Sequence, residues 1–243
     1  MYSFKSRVRF SETGPDRKLS VSSLMNYLQD CSIFQSEDIG AGLQFMKKTQ
    51  RAWLLSAWNV EVIRRPDIAE EIQIATWPYE FKGIYGLRNY AILDKGGNYL
   101  VKADSCWFLT DMETGRPVRP SAEDIAPYPI LEPRLEMEDL PRKIAVPADL
   151  NTYGQVTVLK HHLDINLHVN NVQYIDIACE VLPEGCEISG VRAEYKRAAV
   201  LGDLIVIKYK KEEGKYFISL CAEDDAVYAN VELKVNVEET KKM

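Results

Sequence analysis

Residues 204–235 read LIVIKYKKEEGKYFISLCAEDDAVYANVELKV, and this pattern predicts the fold class. Apolar and polar residues alternate along three runs, which are separated by polar stretches at residues 212–215 and 223–225. Successive side chains of a strand point to opposite faces of a sheet, so alternation with a period of two gives one buried face. The stretch therefore predicts three antiparallel strands, joined by short turns, with one buried face.

A helix is predicted before these strands. Apolar residues recur at spacings of three, four and three, at Val172, Ile175, Cys179 and Leu182. This spacing is typical of one apolar stripe on a helix. Asn170 or Asn171 is suited to cap the N-terminus, and Pro183 with Gly185 is suited to end the helix. An apolar helical stripe and a one-faced sheet bury each other when the sheet wraps the helix.

The first half of the chain repeats this pattern. The same spacing occurs 148 residues earlier, at Leu24, Tyr27, Cys31 and Phe34. At that offset Asp16 aligns with Asp164, and Ser20 aligns with His168. Further along, an offset of 133 aligns Glu70 with Asp203, which leaves fifteen extra residues in the first half. We therefore predict an α+β protein of two fused units, each an antiparallel sheet wrapped around one long helix.

Proline marks the junction between the two units. Seven of the eleven prolines fall between Asp111 and Leu150, a density that neither a central strand nor a helix interior tolerates. The sequence predicts an N-terminal unit at 1–120, a proline-rich linker at 121–150 and a C-terminal unit at 151–243. A helical turn is expected after Ser121, which is a suitable N-cap.

Composition restricts the class of protein. The net charge of −6 argues against a general affinity for nucleic acid, which requires a basic field. Five cysteines without a C-x-x-C pair favour a reducing compartment over a disulfide framework or a zinc site. The N-terminus lacks the apolar segment of a secretory signal, and no apolar run approaches the ~18 residues of a membrane span. We expect a cytoplasmic protein with no membrane span.

The segment Asp164-x-Asn166-x-His168 carries the candidate chemistry, because it ends where the predicted helix begins. The first turn of a helix has unpaired N–H groups and a positive dipole end, which suit a developing oxyanion. A carboxylate, an amide donor and an imidazole together suit hydrolysis of an activated acyl group. The aligned first half has Lys18 and Ser20 at the asparagine and histidine positions, so packing does not require those two residues.

The stretch HLDINLHVNNVQYIDIACEVLP, followed by EYKR, resembles the signature of the acyl-acyl-carrier-protein thioesterases of plants and bacteria. The resemblance implies two hot-dog domains, with catalytic residues at Asp164, Asn166 and His168. It also implies hydrolysis of fatty acyl thioesters on acyl carrier protein, which releases free fatty acid and ends chain elongation. The implied partner is acyl carrier protein bearing an acyl group, no cofactor is implied, and a homodimer is compatible with the sequence.

One departure from the plant enzymes affects the expected mechanism. Those enzymes have a Glu-Cys pair after the EY-basic-basic stretch, whereas this chain has Ala198 and Ala199. A cysteine nucleophile is therefore absent at that position. Asp164 is left either to activate water or to attack the thioester directly, and the sequence leaves both routes open.

Other functions and sites fit parts of this pattern. An acyl-CoA thioesterase uses the same chemistry on another carrier. An enoyl-thioester hydratase is disfavoured because its D-x-N-P-x-H signature is one residue longer and contains proline. A non-enzymatic acyl-binding module would leave the differences between the two halves unexplained. A zinc site at His161, His162, Asp164 and His168 is disfavoured, because its ligands would crowd one short segment. Cys179 lies on the apolar stripe, where an inert buried thiol is the ordinary case.

The remaining expectations divide the work between the two halves. The first half should be catalytically silent but should shape the acyl pocket, with candidate wall residues at Leu24, Tyr27, Phe34, Trp53 and Trp58. Because acyl carrier protein is acidic, docking on a chain of net charge −6 requires a local basic patch. The first candidate patch is Arg192, Lys196 and Arg197, and the second is Lys208 and Lys210.

Overall fold

The computed structural model describes residues 1–236 of the chain. Two compact units are present, Met1–Leu140 and Pro141–Met243. Their division falls within the stretch 121–150 that was predicted as a linker. No helix within residues 1–236 combines the length and apolar character that crossing a bilayer requires.

The first unit contains five strands and three helices. The strands are β1 (Tyr2–Arg7), β2 (Arg51–Val62), β3 (Glu71–Lys82), β4 (Tyr85–Asp94) and β5 (Tyr99–Asp111). The helices are α1 (Val21–Asp38), α2 (Leu43–Thr49) and α3 (Ala122–Ile125). The strands form an antiparallel sheet in the order β1-β3-β4-β5-β2.

Helix α1 packs on β1, β3 and β4 of this sheet. Ser20 caps the helix, because its side chain accepts a hydrogen bond from the backbone N–H of Ser23 at 3.1 Å. Leu24 and Cys31 are fully buried, as the apolar stripe predicted, and each fully buried side chain of leucine size stabilises the fold by about 1.5–3 kcal/mol. Phe34 is 45% exposed, so the buried part of the stripe ends before it.

The proline-rich residues up to Leu140 pack against the first sheet. Ser121 caps α3, as predicted. Further along, the indole N–H of Trp77 donates to the carbonyl of Pro133 at 2.9 Å, and the backbone N–H of Leu135 donates to the side-chain oxygen of Asn89 at 2.8 Å. Side chains of the sheet therefore hold this segment, which proline prevents from joining the sheet as an inner strand.

The second unit contains five strands and one helix. They are β6 (Asn151–Thr157), α4 (Asn171–Cys179), β7 (Glu187–Tyr195), β8 (Leu204–Glu212), β9 (Lys215–Cys221) and β10 (Val227–Asn236). The antiparallel order is β6-β8-β9-β10-β7, so the predicted meander is confirmed as β8, β9 and β10. Helix α4 packs on β9 and β10, and Asn170 caps it by accepting from the N–H of Val172 at 3.0 Å. Leu182 lies beyond the nine-residue helix.

The two sheets have the same strand order once the strands are matched in sequence, which confirms the predicted repeat. The predicted offset of 148 before the helices, however, was wrong by two residues. Ser20 and Asn170 are the equivalent N-caps, and Arg17 (φ 64°) and Leu167 (φ 62°) are the equivalent left-handed residues, so the structural offset is 150. The offset of 148 matched Asp16 with Asp164 because both residues are aspartates. Structurally equivalent residues are instead those with the same backbone conformation.

The corrected offset changes the residues opposite the candidate site. Asp164 is equivalent to Gly14, Asn166 to Asp16 and His168 to Lys18. All three candidate positions therefore differ between the units, instead of two. The later offset of 133 is confirmed. The backbone N–H of Val8 donates to the carbonyl of Glu70 at 3.0 Å, and the N–H of its equivalent Val158 donates to the carbonyl of Asp203 at 2.9 Å. Glu70 and Asp203 are therefore equivalent residues.

Candidate active site

The candidate residues lie in the segment between β6 and α4, which we call loop 2 (residues 163–170). Its equivalent in the first unit is loop 1 (residues 13–20). Loop 2 is closed by backbone hydrogen bonds from Asp164 to the carbonyl of His168 at 2.8 Å and from Leu167 to that of Asp164 at 3.1 Å. It is also fixed from outside, since Val169 donates to the carbonyl of Ala199 at 2.9 Å. These bonds hold the candidate side chains on a defined backbone.

Asp164 organises loop 2 from within. Its Oδ1 accepts the backbone N–H groups of Asn166 at 2.8 Å and His168 at 3.3 Å. This is an Asx-type turn, in which a short side chain replaces a backbone acceptor. The other oxygen, Oδ2, has only a long contact of 3.4 Å with the side-chain amide of Asn166. Oδ2 is therefore the oxygen with lone pairs left for water or a substrate.

Asn166 and His168 are both exposed on loop 2. The imidazole of His168 forms no hydrogen bond with any residue between 1 and 236, so its nitrogens are available to solvent. The structure thus brings the three predicted side chains together within five residues of one loop. Exposure gives Asn166 and His168 access to a ligand without a change in the surrounding backbone.

His161 and His162 have a different environment. Their ring centroids lie 4.1 Å apart in an edge-to-face arrangement. Nδ1 of His162 accepts the backbone N–H of Leu159 at 3.0 Å. Burial, and secondarily the neighbouring His161, lower the pKa of His162. Across residues 1–236, no group of three or more His, Cys, Asp or Glu side chains is arranged to hold a metal ion.

Two tyrosines hold backbone groups next to loop 2, and no role was predicted for either of them from the sequence. The hydroxyl of Tyr174 accepts the backbone N–H of Ala199 at 2.8 Å, and the hydroxyl of Tyr195 donates to the carbonyl of Asn171 at 3.0 Å. Burial, the largest effect, raises the pKa of Tyr174 to about 12, so this phenol stays protonated near neutral pH. Tyr174 lies within the stretch HLDINLHVNNVQYIDIACEVLP that carries the family resemblance, which was the available signal for it.

Loop 1 has the same closure but different side chains. Gly14 donates to the carbonyl of Lys18 at 3.0 Å, as Asp164 does to that of His168. Asp16 forms an ion pair with Arg65, whose equivalent in the second unit is Ala198. Burial acts to raise the pKa of Asp16, but the Lys18 backbone N–H and the Arg65 guanidinium outweigh it and hold that pKa below its ordinary value. The carboxylate of loop 1 is therefore engaged within the protein.

The predicted basic patches are only partly accessible. Arg192 is largely buried, where it pairs with Glu232 at 2.6 Å, so it does not extend the surface patch as expected. Lys208 and Lys210 form ion pairs with neighbouring carboxylates. The exposed cations that remain of the first patch are Lys196, at 3.8 Å from a carboxylate oxygen of Glu194, and Arg197. The guanidinium of Arg197 lies over the ring of Tyr228, 5.5 Å from its centroid.

An antiparallel sheet packed on one helix, occurring twice, defines a tandem hot-dog protein of the α+β class. Family comparisons agree with this class. The acyl-ACP thioesterase N-terminal domain matches residues 1–128, and the acyl-ACP thioesterase C-terminal domain matches residues 148–237. The chain belongs to the acyl-ACP thioesterase family.

Individual relatives give the extent of the likeness. An acyl-(acyl-carrier-protein) hydrolase of Cuphea viscosissima, named chloroplastic, is 29% identical over 206 residues, which are 78% of this chain and 50% of the relative. A chloroplastic dodecanoyl-(acyl-carrier-protein) hydrolase of Cinnamomum camphora is 27% identical over 215 residues, 82% of this chain and 56% of the relative. The chain thus spans about half the length of the curated relatives it matches.

A crystal structure supports the fold in particular. It is described as an acyl-ACP thioesterase from Bacteroides thetaiotaomicron and superposes with a TM-score of 0.89. The sequence identity is 21%, over 96% of this chain and 97% of that chain. At this identity the comparison establishes the shared fold.

Proposed function

We propose that the protein hydrolyses fatty acyl thioesters carried by acyl carrier protein, releasing free fatty acid and the carrier thiol. Membership of the acyl-ACP thioesterase family supports this proposal. The observation that carries it is the contrast between the two loops. The same hydrogen-bonded backbone has Gly14, Asp16 and Lys18 in loop 1, but a carboxylate, an amide and an imidazole in loop 2.

In the proposed mechanism, the side-chain amide of Asn166 donates to the thioester carbonyl. The backbone N–H of Asn171 is a second candidate donor at the start of α4, since it has no hydrogen-bond partner within residues 1–236. The capping oxygen of Asn170 already occupies the N–H of Val172. These donors would stabilise negative charge on the carbonyl oxygen as the tetrahedral intermediate forms.

Asp164 is the proposed group that starts the reaction, through Oδ2. Either it removes a proton from water, which adds to the carbonyl carbon, or it adds directly to form an anhydride that water then cleaves. In both routes the carbon–sulfur bond breaks, and His168 gives a proton to the departing thiolate. Ala198 and Ala199 offer no competing nucleophile.

The test is an assay of purified protein with acyl thioesters that vary in chain length and carrier, scored by released thiol. We expect the highest kcat/KM on carrier-bound acyl groups. A clear preference for acyl-CoA would make the protein an acyl-CoA thioesterase. Addition of water to an enoyl thioester without thiol release would indicate a hydratase, and binding without turnover would indicate an acyl-binding module.

Location and assembly belong to the same proposal. No cysteine between residues 1 and 236 forms a disulfide, which suits a reducing compartment, and we propose the cytoplasm. Fractionation of cells that express the untagged protein would test this location. A homodimer fits the proposed function as well, and sedimentation equilibrium would measure the assembly.

A further inference from the structure

Exposed apolar side chains surround loop 2. We call this set the apolar rim, and its members have exposed fractions of 43–76%: Leu159, Ile165, Leu167, Val200 and Leu201. His168 and Val200 form an antiparallel bridge, which places Leu167 opposite Leu201. Leu159 directly precedes the 3-10 turn of residues 160–162. The backbone carbonyl of His162, the last residue of this turn, accepts the N–H of Asn170 at 2.9 Å. The backbone contacts thus gather these side chains around one loop.

The first unit has charged residues at three of the five equivalent positions, so the fold does not require apolar residues there. The equivalents of the rim residues, taken in order, are Arg9, Pro15, Arg17, Asp67 and Ile68. Leu167 is the most informative member, because it has φ 62° and a side chain that is 71% exposed. A left-handed conformation is unfavourable for leucine, and an exposed leucine gains little from burial. Stability of the folded chain therefore gives no reason for leucine at this position.

Uncompensated positive charge lies next to the apolar rim. Lys160 follows Leu159, is exposed, and forms no ion pair with residues 1–236. Arg197, three residues before Val200, likewise has no ion pair within this described range. Its equivalent Arg64 is bound by both carboxylate oxygens of Glu70, at 2.6 and 2.8 Å. The second unit thus presents an apolar surface flanked by free cations, where the first unit presents paired charges.

We propose that the apolar rim, with Lys160 and Arg197, is the surface on which acyl carrier protein docks, an inference that rests on the proposed function. An acidic partner with apolar side chains beside its thioester arm would satisfy both parts of this surface. A second copy of the chain is a poorer occupant. In a two-fold dimer the patch would meet itself, so Lys160 and Arg197 would face like charges.

The test compares two substrates that share one acyl group, acyl-acyl carrier protein and the corresponding acyl-pantetheine. In the double variant Leu159→Gln/Leu201→Gln we expect kcat/KM on the carrier-bound substrate to fall about tenfold, the scale of losing a packed apolar contact in an interface. The rate on acyl-pantetheine should change by less than about twofold, since the small substrate lacks the docking protein. Phe10→Gln is the matched control, because Phe10 is 84% exposed and is the first-unit equivalent of Lys160. It should leave both rates unchanged.

Direct binding separates this proposal from the proposed function. Isothermal titration of the protein with unacylated carrier, with and without the two rim substitutions, measures docking without turnover, because this carrier has no thioester to hydrolyse. Weaker binding in the rim variant supports the docking surface even if the wild type hydrolyses no thioester, a result that would reject the proposed function alone. Equal losses on both substrates, no loss on either, or a change in oligomeric mass would overturn the docking proposal. Circular dichroism confirms that the variants are folded.

Discussion

Loop 1 and loop 2 have the same backbone conformation but differ in the hydrogen bonds and ion pairs of their polar side chains. In loop 1, Asp16 is bound by Arg65. At the equivalent positions of the second unit, Asn166 and Ala198 cannot form an ion pair, and the imidazole of His168 has no hydrogen-bond partner within residues 1–236. The first loop therefore binds its carboxylate within the protein, whereas the second leaves Oδ2 of Asp164 and the imidazole of His168 available to a ligand.

The difference between the loops separates the requirements of folding from those of chemistry. The residues that keep the conformation are matched in both units, namely the N-caps Ser20 and Asn170 and the left-handed residues Arg17 and Leu167. The positions that differ are the ones with reactive groups in loop 2. Loop 1 is consequently an internal control for loop 2.

The largest expected effect comes from removing the proposed reactive groups of loop 2. Asp164→Ala and His168→Ala should each lower kcat by ~10²-fold or more, the usual scale for acid–base groups. The loop 1 variants Asp16→Ala and Lys18→Ala should leave kcat almost unchanged. Steady-state rates of thiol release would measure all four variants. Near-normal rates in the loop 2 variants, or equal losses in both loops, would reject the proposed division.

Asn166 provides the next comparison. Asn166→Ala should cost on the order of 10²-fold in kcat if the amide donates to the developing oxyanion. Asn166→Asp introduces the residue of loop 1 at that position, and it should not restore the rate, because a carboxylate accepts hydrogen bonds and repels the oxyanion. If the aspartate variant keeps wild-type activity, Asn166 has no donor role and acts only through the shape of the loop.

Electrostatic docking should give a smaller effect. Arg197→Glu should lower kcat/KM on acyl-acyl carrier protein by about tenfold at low salt, because reversal of an exposed charge slows association with an acidic partner. The loss should shrink as ionic strength rises, since exposed charges are screened within ~8–10 Å. Lys234→Glu, an equal change of charge at an exposed lysine of β10, is the control. Equal losses in both variants would point to net charge instead of a local patch.

The smallest expected effect concerns the stability of loop 1. The pKa of Asp16 is lowered in the folded state, so its carboxylate stabilises the fold above the unfolded pKa, and this contribution disappears as pH falls through the lower folded value. Asp16→Asn should reduce the free energy of unfolding by about 1 kcal/mol at pH 7, the scale of a partly exposed ion pair. Urea unfolding of wild type and variant should show the difference shrinking toward pH 3. A pH-independent difference would indicate lost packing instead.

Local features were largely predictable from the sequence. Alternation with a period of two predicted β8, β9 and β10, because side chains alternate between the faces of a strand whatever its partners are. Asn170 and Ser121 were predictable caps, since capping depends on residues two or three positions away. The candidate site also lies in one short segment, so its members could be named without knowledge of distant contacts.

Features that depend on contacts between distant residues required the tertiary structure. The correct alignment of the two repeats follows from the left-handed backbone conformation at Arg17 and Leu167. This conformation leaves no pattern of apolar residues in the sequence, so an alignment of apolar positions could not find it. The pairing of Arg192 with Glu232 joins neighbouring strands and removed a predicted surface cation. The chemical groups of the second unit follow from its residues alone. Which of these groups stay exposed depends on folding, because ion pairing and burial involve residues brought together from distant parts of the sequence.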